Sequence, residues 1–205
     1  SLEAFYRLNP TAKVDAEMLP KVKKERVDKI IKPRWNLIKE KLEGIGTNFP
    51  VNNVLEIGAG IGHFLEVVQE SKIARNYYAI EPSKQCQDQL KNINFIKSYD
   101  KVFENMDEKI SSDIIFINSV IEHPHCLDTF FQKLNETLNP AGVISLFDMH
   151  SNGADICILK ENSQNVNPLL ILQIGSIKGI NILADRHNME VIHQSSEGEL
   201  DIDII

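Results

Sequence analysis

The sequence is poor in cysteine. Its three residues, Cys86, Cys126 and Cys157, are too few and too scattered for a disulfide framework or a zinc site, which points to a reducing, cytoplasmic setting. Long apolar runs are missing as well, and nothing approaches the roughly 20 residues of a membrane span. The longest uncharged stretch, 162–177, is interrupted by Asn, Gln, Ser and Pro. No signal peptide is visible, and the chain begins at Ser1 without a methionine. Positive charge is scarce beyond residue 50: residues 51–205 carry eleven Lys/Arg against twenty-two Asp/Glu. Such an acidic body lacks the clustered cations that nucleic acid requires of a partner. Internal repeats and low-complexity tracts are absent.

What remains is a soluble globular chain of 205 residues, 42 % hydrophobic and 25 % charged, enough for one domain with an extension. The extension is residues 1–50. It holds four of the eight prolines and a small excess of positive charge, eleven Lys/Arg against seven Asp/Glu. Within it Val27, Ile30, Ile31, Trp35, Ile38 and Leu42 fall on one face at helical spacing, which predicts a packed stripe backed by a solvated basic run from Lys21 to Lys24. Pro33 should kink this helix or open a second one at its first turn.

From residue 51 to 205 the pattern changes to short, continuous apolar runs alternating with amphipathic helices. Strands are predicted at 54–57, 77–80, 95–96, 113–117, 143–147 and, as a sixth, 190–194. Helices are predicted over Phe64–Val68, after Ser83 as N-cap, over Leu127–Leu138 up to the Asn139-Pro140 stop, and near Lys178–His187. Strands without polar alternation, separated by helices, imply a parallel sheet covered on both faces. The fold class is therefore α/β, a doubly wound, mostly parallel open sheet. The polar stretch 150–176 is too long for a plain connection and reads as a cover on the substrate side.

Three of the ten glycines sit in Glu56-Ile57-Gly58-Ala59-Gly60-Ile61-Gly62, between the first strand and the first helix. Glycine there permits positive φ and lets a ligand approach the backbone, and the ligand crevice of an open α/β sheet lies at this edge. A tight structural turn is the plain alternative. The spacing is G-x-G-x-G, and His63 stands where the dinucleotide fingerprint G-x-G-x-x-G has its last glycine, which disfavours a nicotinamide-dependent oxidoreductase. Glu81 follows nineteen residues after Gly62, at the tip of the second strand, where a carboxylate can accept both hydroxyls of a ribose. Its plain alternative is a surface acid at a strand end.

The string Val54–Gly62, then Ile80-Glu81-Pro82, Ser112–Ile115, Asn118–His123 and Leu138–Val143 resembles the motifs of class I S-adenosylmethionine-dependent methyltransferases over about residues 51–150. The resemblance implies S-adenosylmethionine as cofactor. It places the glycine turn against the methionyl part, the ribose on Glu81, Asn118 and Ser119 beside the methionyl amine and carboxylate, and Ser98-Tyr99-Asp100 near the adenine. The implied cofactor-binding set is Glu56, Gly58, Ala59, Gly60, Gly62, Glu81, Pro82, Tyr99, Asn118 and Ser119. Many relatives have Gly-Asp where this chain has Ser98-Tyr99.

The tail, Met189–Ile192 and Glu197–Ile204, is similar to a branch of these enzymes often associated with bacterial surface-polysaccharide or cell-envelope synthesis, which implies a sugar or nucleotide-linked sugar hydroxyl as acceptor. In that branch more chain follows, including the sheet's last strand. The expectation here is either a truncated chain or a sheet without that strand. Transfer to a hydroxyl needs a positioned base, and His is the commonest, with an unperturbed pKa near ~6.5. His123 and His125 follow the fourth strand and His150 the fifth. His123 and His150 are the candidate catalytic residues, against a structural hydrogen-bonding role for each, and Glu122 could orient His123 or cap the next helix. The histidine spacing gives no zinc site, so no metal is expected. The other reading is a cofactor-binding module without turnover.

Overall fold

The computed structural model describes residues 19–163, 165–167 and 171–195. The tail resemblance at Glu197–Ile204 lies outside them. The N-terminal helix α1 (Leu19–Arg26) passes through one π-helical turn, Val27–Ile31, into α2 (Lys32–Gly44) without leaving helical dihedrals. Pro33 lies in the first turn of α2 and has no N–H for the carbonyl four residues back. The backbone widens instead, and Lys32 N–H donates to the Val27 carbonyl. Ile31, Trp35, Ile38 and Leu42 of the expected stripe are buried, and Lys23 and Lys24 are exposed.

Five strands follow: β1 (Val51–Ile57), β2 (Ala74–Ile80), β3 (Ile96–Tyr99), β4 (Ser112–Asn118) and β5 (Leu138–Phe147). They form one sheet in the order β3-β2-β1-β4-β5, with every pair parallel. Parallel neighbours require crossovers. The helical connections are α3 (His63–Glu70) from β1 to β2, α4 (Lys84–Leu90) from β2 to β3 and α5 (Leu127–Thr137) from β4 to β5. Beyond β5 lie α6 (Ala154–Leu159) and α7 (Ile177–Arg186). This is the doubly wound α/β fold anticipated. The chain reverses direction across the sheet between β1 and β4, so the ligand crevice belongs at the carboxyl ends of those two strands.

Strand parity divides the core in two. Val54, Ile114 and Phe116 pack on one face with Ile31, Trp35, Ile38, Leu42, Phe64 and Val68. Leu55, Ile57, Ile115 and Ile117 pack on the other with Phe130, Phe131 and Leu134 of α5. Trp35 meets Phe64 and Phe116 edge-on, with ring centroids 6.4 and 6.0 Å apart, and its indole N–H donates to Ser71 Oγ at 3.0 Å. Glu56, Asn118 and Phe147 continue the rows on this α2 face, since Glu56 pairs with Phe116 and Asn118 with Phe147 in register.

The sixth strand predicted at 190–194 does not form. Residues 189–195 have no regular structure, and no ladder hydrogen bond joins them to β5 among the described residues. This segment and β5 instead line the same cavity of about 530 Å³, together with parts of α2 and α7. Val191 and Ile192 are exposed. Ser83 occupies the N-cap position of α4, but its hydroxyl makes no cap; its N–H donates to Glu81 Oε1.

Candidate functional site

At the end of β1 the chain must turn sharply to enter α3 while leaving the crevice open. Gly58, Gly60 and Gly62 all have positive φ, +71°, +54° and +87°. A Cβ on Gly58 would come within 2.5 Å of Val120 Cγ2, and one on Gly62 within 2.8 Å of Leu90 Cδ2 and Ile93 Cδ1. At these two positions the surrounding packing leaves no room for a side chain. Around Gly60 no heavy atom lies within 4 Å of such a Cβ, so this is the place in the turn where a ligand can lie against bare backbone. The Gly58 and Ala59 N–H groups both donate to the Ile80 carbonyl, at 2.8 and 3.2 Å, and tie the turn to the end of β2. The backbone donor of Ala59 is thereby already used.

Glu81 follows directly. Its carboxylate accepts from Gly60 N–H and Ser83 N–H, each at 2.8 Å. Each oxygen keeps a lone pair for a further donor. Gln87, itself buried, donates to the Glu81 and Tyr99 carbonyls at 2.8 Å and fixes the ends of β2 and β3 together. Burial pushes the Glu81 carboxyl above the ordinary carboxylate range, against the pull of its two backbone donors. Pro82 and Tyr99 flank it, both half-buried.

On the α2 face the crevice ends in a polar chain. Glu56 is 2 % exposed. Asn118 Nδ2 donates to Glu56 Oε1 at 3.1 Å, and Arg34 Nη1 of α2 donates to Asn118 Oδ1 at 3.2 Å. The Arg34 guanidinium lies 4.1 Å from the centre of the Phe147 ring. Burial, reinforced by the Glu81 carboxylate, raises Glu56 to about 8, so it carries its proton at neutral pH. Glu56 Oε2 and Arg34 Nε are buried without a hydrogen-bond partner among the described residues. Sequence reasoning reached Glu56 and Asn118 and missed Arg34. The usable signal was its place beside Trp35, the aromatic of the buried stripe. Ser119 is exposed with φ +55°, and its N–H donates to the Phe147 carbonyl at 2.9 Å.

The two candidate catalytic histidines follow neighbouring strands. His123 is half-buried, with Nε2 3.8 Å from Glu122 Oε1. Glu122 is buried beside Asp148, and both effects push its carboxyl up. Asp148 in turn accepts from the N–H groups of Val120 and Ile121 at 2.9 and 3.0 Å and so fixes the loop carrying His123 against the end of β5. His150 lines the cavity beside β5. The segment 171–175 crosses both loops: Leu172 N–H donates to the Glu122 carbonyl, and Ser151 N–H to the Gly175 carbonyl, both at 2.9 Å. Gln173 Nε2 adds a bond to the Pro124 carbonyl at 2.6 Å. Part of the expected cover therefore lies over the ends of β4 and β5. His125 is exposed, and His187 belongs to the α5–α7 contact through Asp128 at 3.1 Å.

The arrangement suits a ligand with three kinds of group. Glu81 can take hydroxyls, the bare turn at Gly60 can take a thin chain, and the Glu56–Asn118–Arg34 chain can take a zwitterion. The family model described as "Methyltransferase domain" matches residues 28–193. No curated protein matches the sequence. Among solved structures, the plantazolicin methyltransferase BpumL in complex with SAH superposes with a TM-score of 0.67 at 14 % identity, over 90 % of this chain and 72 % of that one. YcgJ of Bacillus subtilis gives 0.60 at 14 % identity, over 72 % of this chain and 66 % of that one. An S-adenosylmethionine-dependent methyltransferase from Clostridium acetobutylicum gives 0.51 at 16 % identity, over 62 % and 55 %. These likenesses are likenesses of fold, and the chain spans under two thirds of the length of YcgJ and of the Clostridium protein. The family match runs from within the π-helical turn to the segment beside β5, well over half of the chain, and on it the chain belongs to the methyltransferase-domain family.

Proposed function

We propose that this protein is an S-adenosylmethionine-dependent methyltransferase acting on a hydroxyl of a small or sugar-linked acceptor in the cytoplasm. The observation that carries the cofactor is the pairing of open backbone at Gly60 with the Glu81 carboxylate, 2.8 Å from the Gly60 N–H. In this reading Glu81 holds the ribose hydroxyls, while Pro82 and Tyr99 border the adenine. Gly58, Ala59, Gly60 and Gly62 shape the wall along the methionyl chain, and Glu56, Asn118 and Ser119 meet its polar end. The bound cofactor supplies a sulfonium-activated methyl group, and the chain's own task is to orient the acceptor and exclude water.

Methylation of a hydroxyl releases one proton. His123 or His150 would take it at a ring nitrogen, under the cover of segment 171–175. The Glu122 carboxyl, 3.8 Å from His123, is pushed up by burial and by Asp148, so it competes little for that proton. The sugar-linked acceptor rests on the likeness of the tail to the polysaccharide and cell-envelope branch. In this reading the helices over Leu19–Gly44 are an extension of the cofactor domain, which begins at residue 51. The test is transfer of a labelled methyl group to nucleotide sugars and to extracts of cell-envelope precursors. Label in a hydroxyl-bearing acceptor is the expected result. Tight cofactor binding with no transfer to any acceptor would favour a binding module instead.

A further inference from the structure

We propose that residues 199–204 enter the cavity beside β5 as a strand and pair with the open edge of the sheet. The observation that carries this is a gap with unused strand surface on both sides. β5 is ten residues long and pairs with β4, and no ladder reaches its other edge among the described residues. A row of unpaired N–H and C=O groups of that length is a template for another strand. Across the cavity the segment 190–194 has strand-forming residues, Val191 and Ile192 among them, but no ladder of its own. Gln194 is tied there to α7 by Asn181 Nδ2 at 3.4 Å. Both segments line the same space of about 530 Å³, closed on one side by Ile38 and Leu42 of α2 and on the other by Ile180 and Ala184 of α7. A space walled by two strand-like segments and covered by helices has the shape of a missing strand, which sits about 4.8 Å from each neighbour.

The chain itself supplies the occupant. Ser195 lies on the cavity wall, and the ten residues after it read Ser196-Glu197-Gly198-Glu199-Leu200-Asp201-Ile202-Asp203-Ile204-Ile205. Ser196, Glu197 and Gly198 suit a three-residue hairpin loop with glycine at its left-handed position. Leu200, Ile202 and Ile204 then alternate with Asp201 and Asp203, the period of a strand with one apolar and one polar face. A hairpin of 190–195 with 199–204 returns the chain into the gap, with one edge on 190–195 and the other on β5. The apolar face suits the α7 side, with Ile180, Ala184 and Met189, and the aspartates suit the α2 side, where Lys41 lines the cavity. A second copy would have to reach an edge already flanked by 189–195, whereas the tail starts at the wall and needs only a short loop to enter. Pairing along β5 steadies the strand whose end leads to Asp148 and His150.

The test is amide hydrogen exchange of the full chain, read residue by residue by NMR at low and high protein concentration. The amides of 143–147 that face away from β4, and those of 200–204, should exchange at least roughly a hundredfold more slowly than unstructured amides, equally at both concentrations. Truncation after Ser195, or Ile202→Asp on the apolar face, should bring the β5 edge amides back to within about tenfold of the unstructured rate, while β1 and β4 stay protected. Free exchange at the β5 edge in the full chain would overturn the proposal, as would protection that survives truncation. Protection that appears only at high concentration, together with a dimer, would assign the edge to a second copy and overturn it too. Where a variant loses protection in β1 and β4 as well, and so has not folded, cross-strand nuclear Overhauser contacts in the wild type decide. Contacts between 200–204 and 143–147 uphold the pairing, and their absence overturns it.

Discussion

Glu56→Gln separates the cost of the site from its use. In the ligand-free fold this carboxyl is buried and titrates at about 8 instead of its ordinary 4.5. The native state thus holds a proton that the unfolded chain gives up above about pH 4.5, so stability falls as pH rises between those two values. Carried from about pH 5 to pH 7.5, the penalty grows by about 3 kcal/mol. Glutamine has the same shape, can still accept from Asn118 Nδ2, and does not titrate. Scanning calorimetry of the ligand-free wild type and variant should show similar melting temperatures near pH 5. Near pH 7.5 the variant should gain roughly 5–10 °C for a chain of this size. Cofactor affinity should move the other way, because the variant has no anion for the ammonium. A melting-temperature difference independent of pH would refute the claim that Glu56 is held neutral by burial.

The glycines should divide by what a Cβ would meet: Gly62→Ala, at φ +87° and 2.8 Å from Leu90 and Ile93, should cost about 2–4 kcal/mol of stability in denaturant titration. Gly60→Ala, at φ +54° in open space, should cost only about 1 kcal/mol of stability and act chiefly on cofactor binding. Glu81→Ala should weaken S-adenosylhomocysteine by roughly ten- to a hundredfold in calorimetry; an unchanged dissociation constant would make it a strand-end acid. His123→Ala or His150→Ala should slow single-turnover methyl transfer at saturating cofactor by about 10²-fold or more if that ring takes the proton. If neither slows it tenfold, both histidines are structural.

The sheet was legible because its central strands β1 and β4 are buried on both faces, and runs such as Ile114–Ile117 have no other use in a chain of this size. The glycine turn was legible because three positive-φ positions in five residues leave little choice of residue. Val191-Ile192 carries the same β-branched signal as a strand, yet propensity cannot supply a partner, and in the fold a cavity lies between that segment and β5. Arg34 was hidden for the opposite reason. Its contact with Asn118 depends on which face of the sheet α2 covers, and only the parity of Val54–Glu56 and Phe116–Asn118 brings it to the crevice. The neutral state of Glu56 is a consequence of burial, which a motif alone does not reveal.

The central claim is the choice of ligand at the crevice, and a thermal-shift titration of the wild-type chain tests it most directly. S-adenosylmethionine or S-adenosylhomocysteine at about 100 times its dissociation constant should add about 2.7 kcal/mol, or roughly 5–10 °C in melting temperature, while NAD at the same concentration should add nothing. A clear shift with NAD and none with either sulfur ligand would contradict the account.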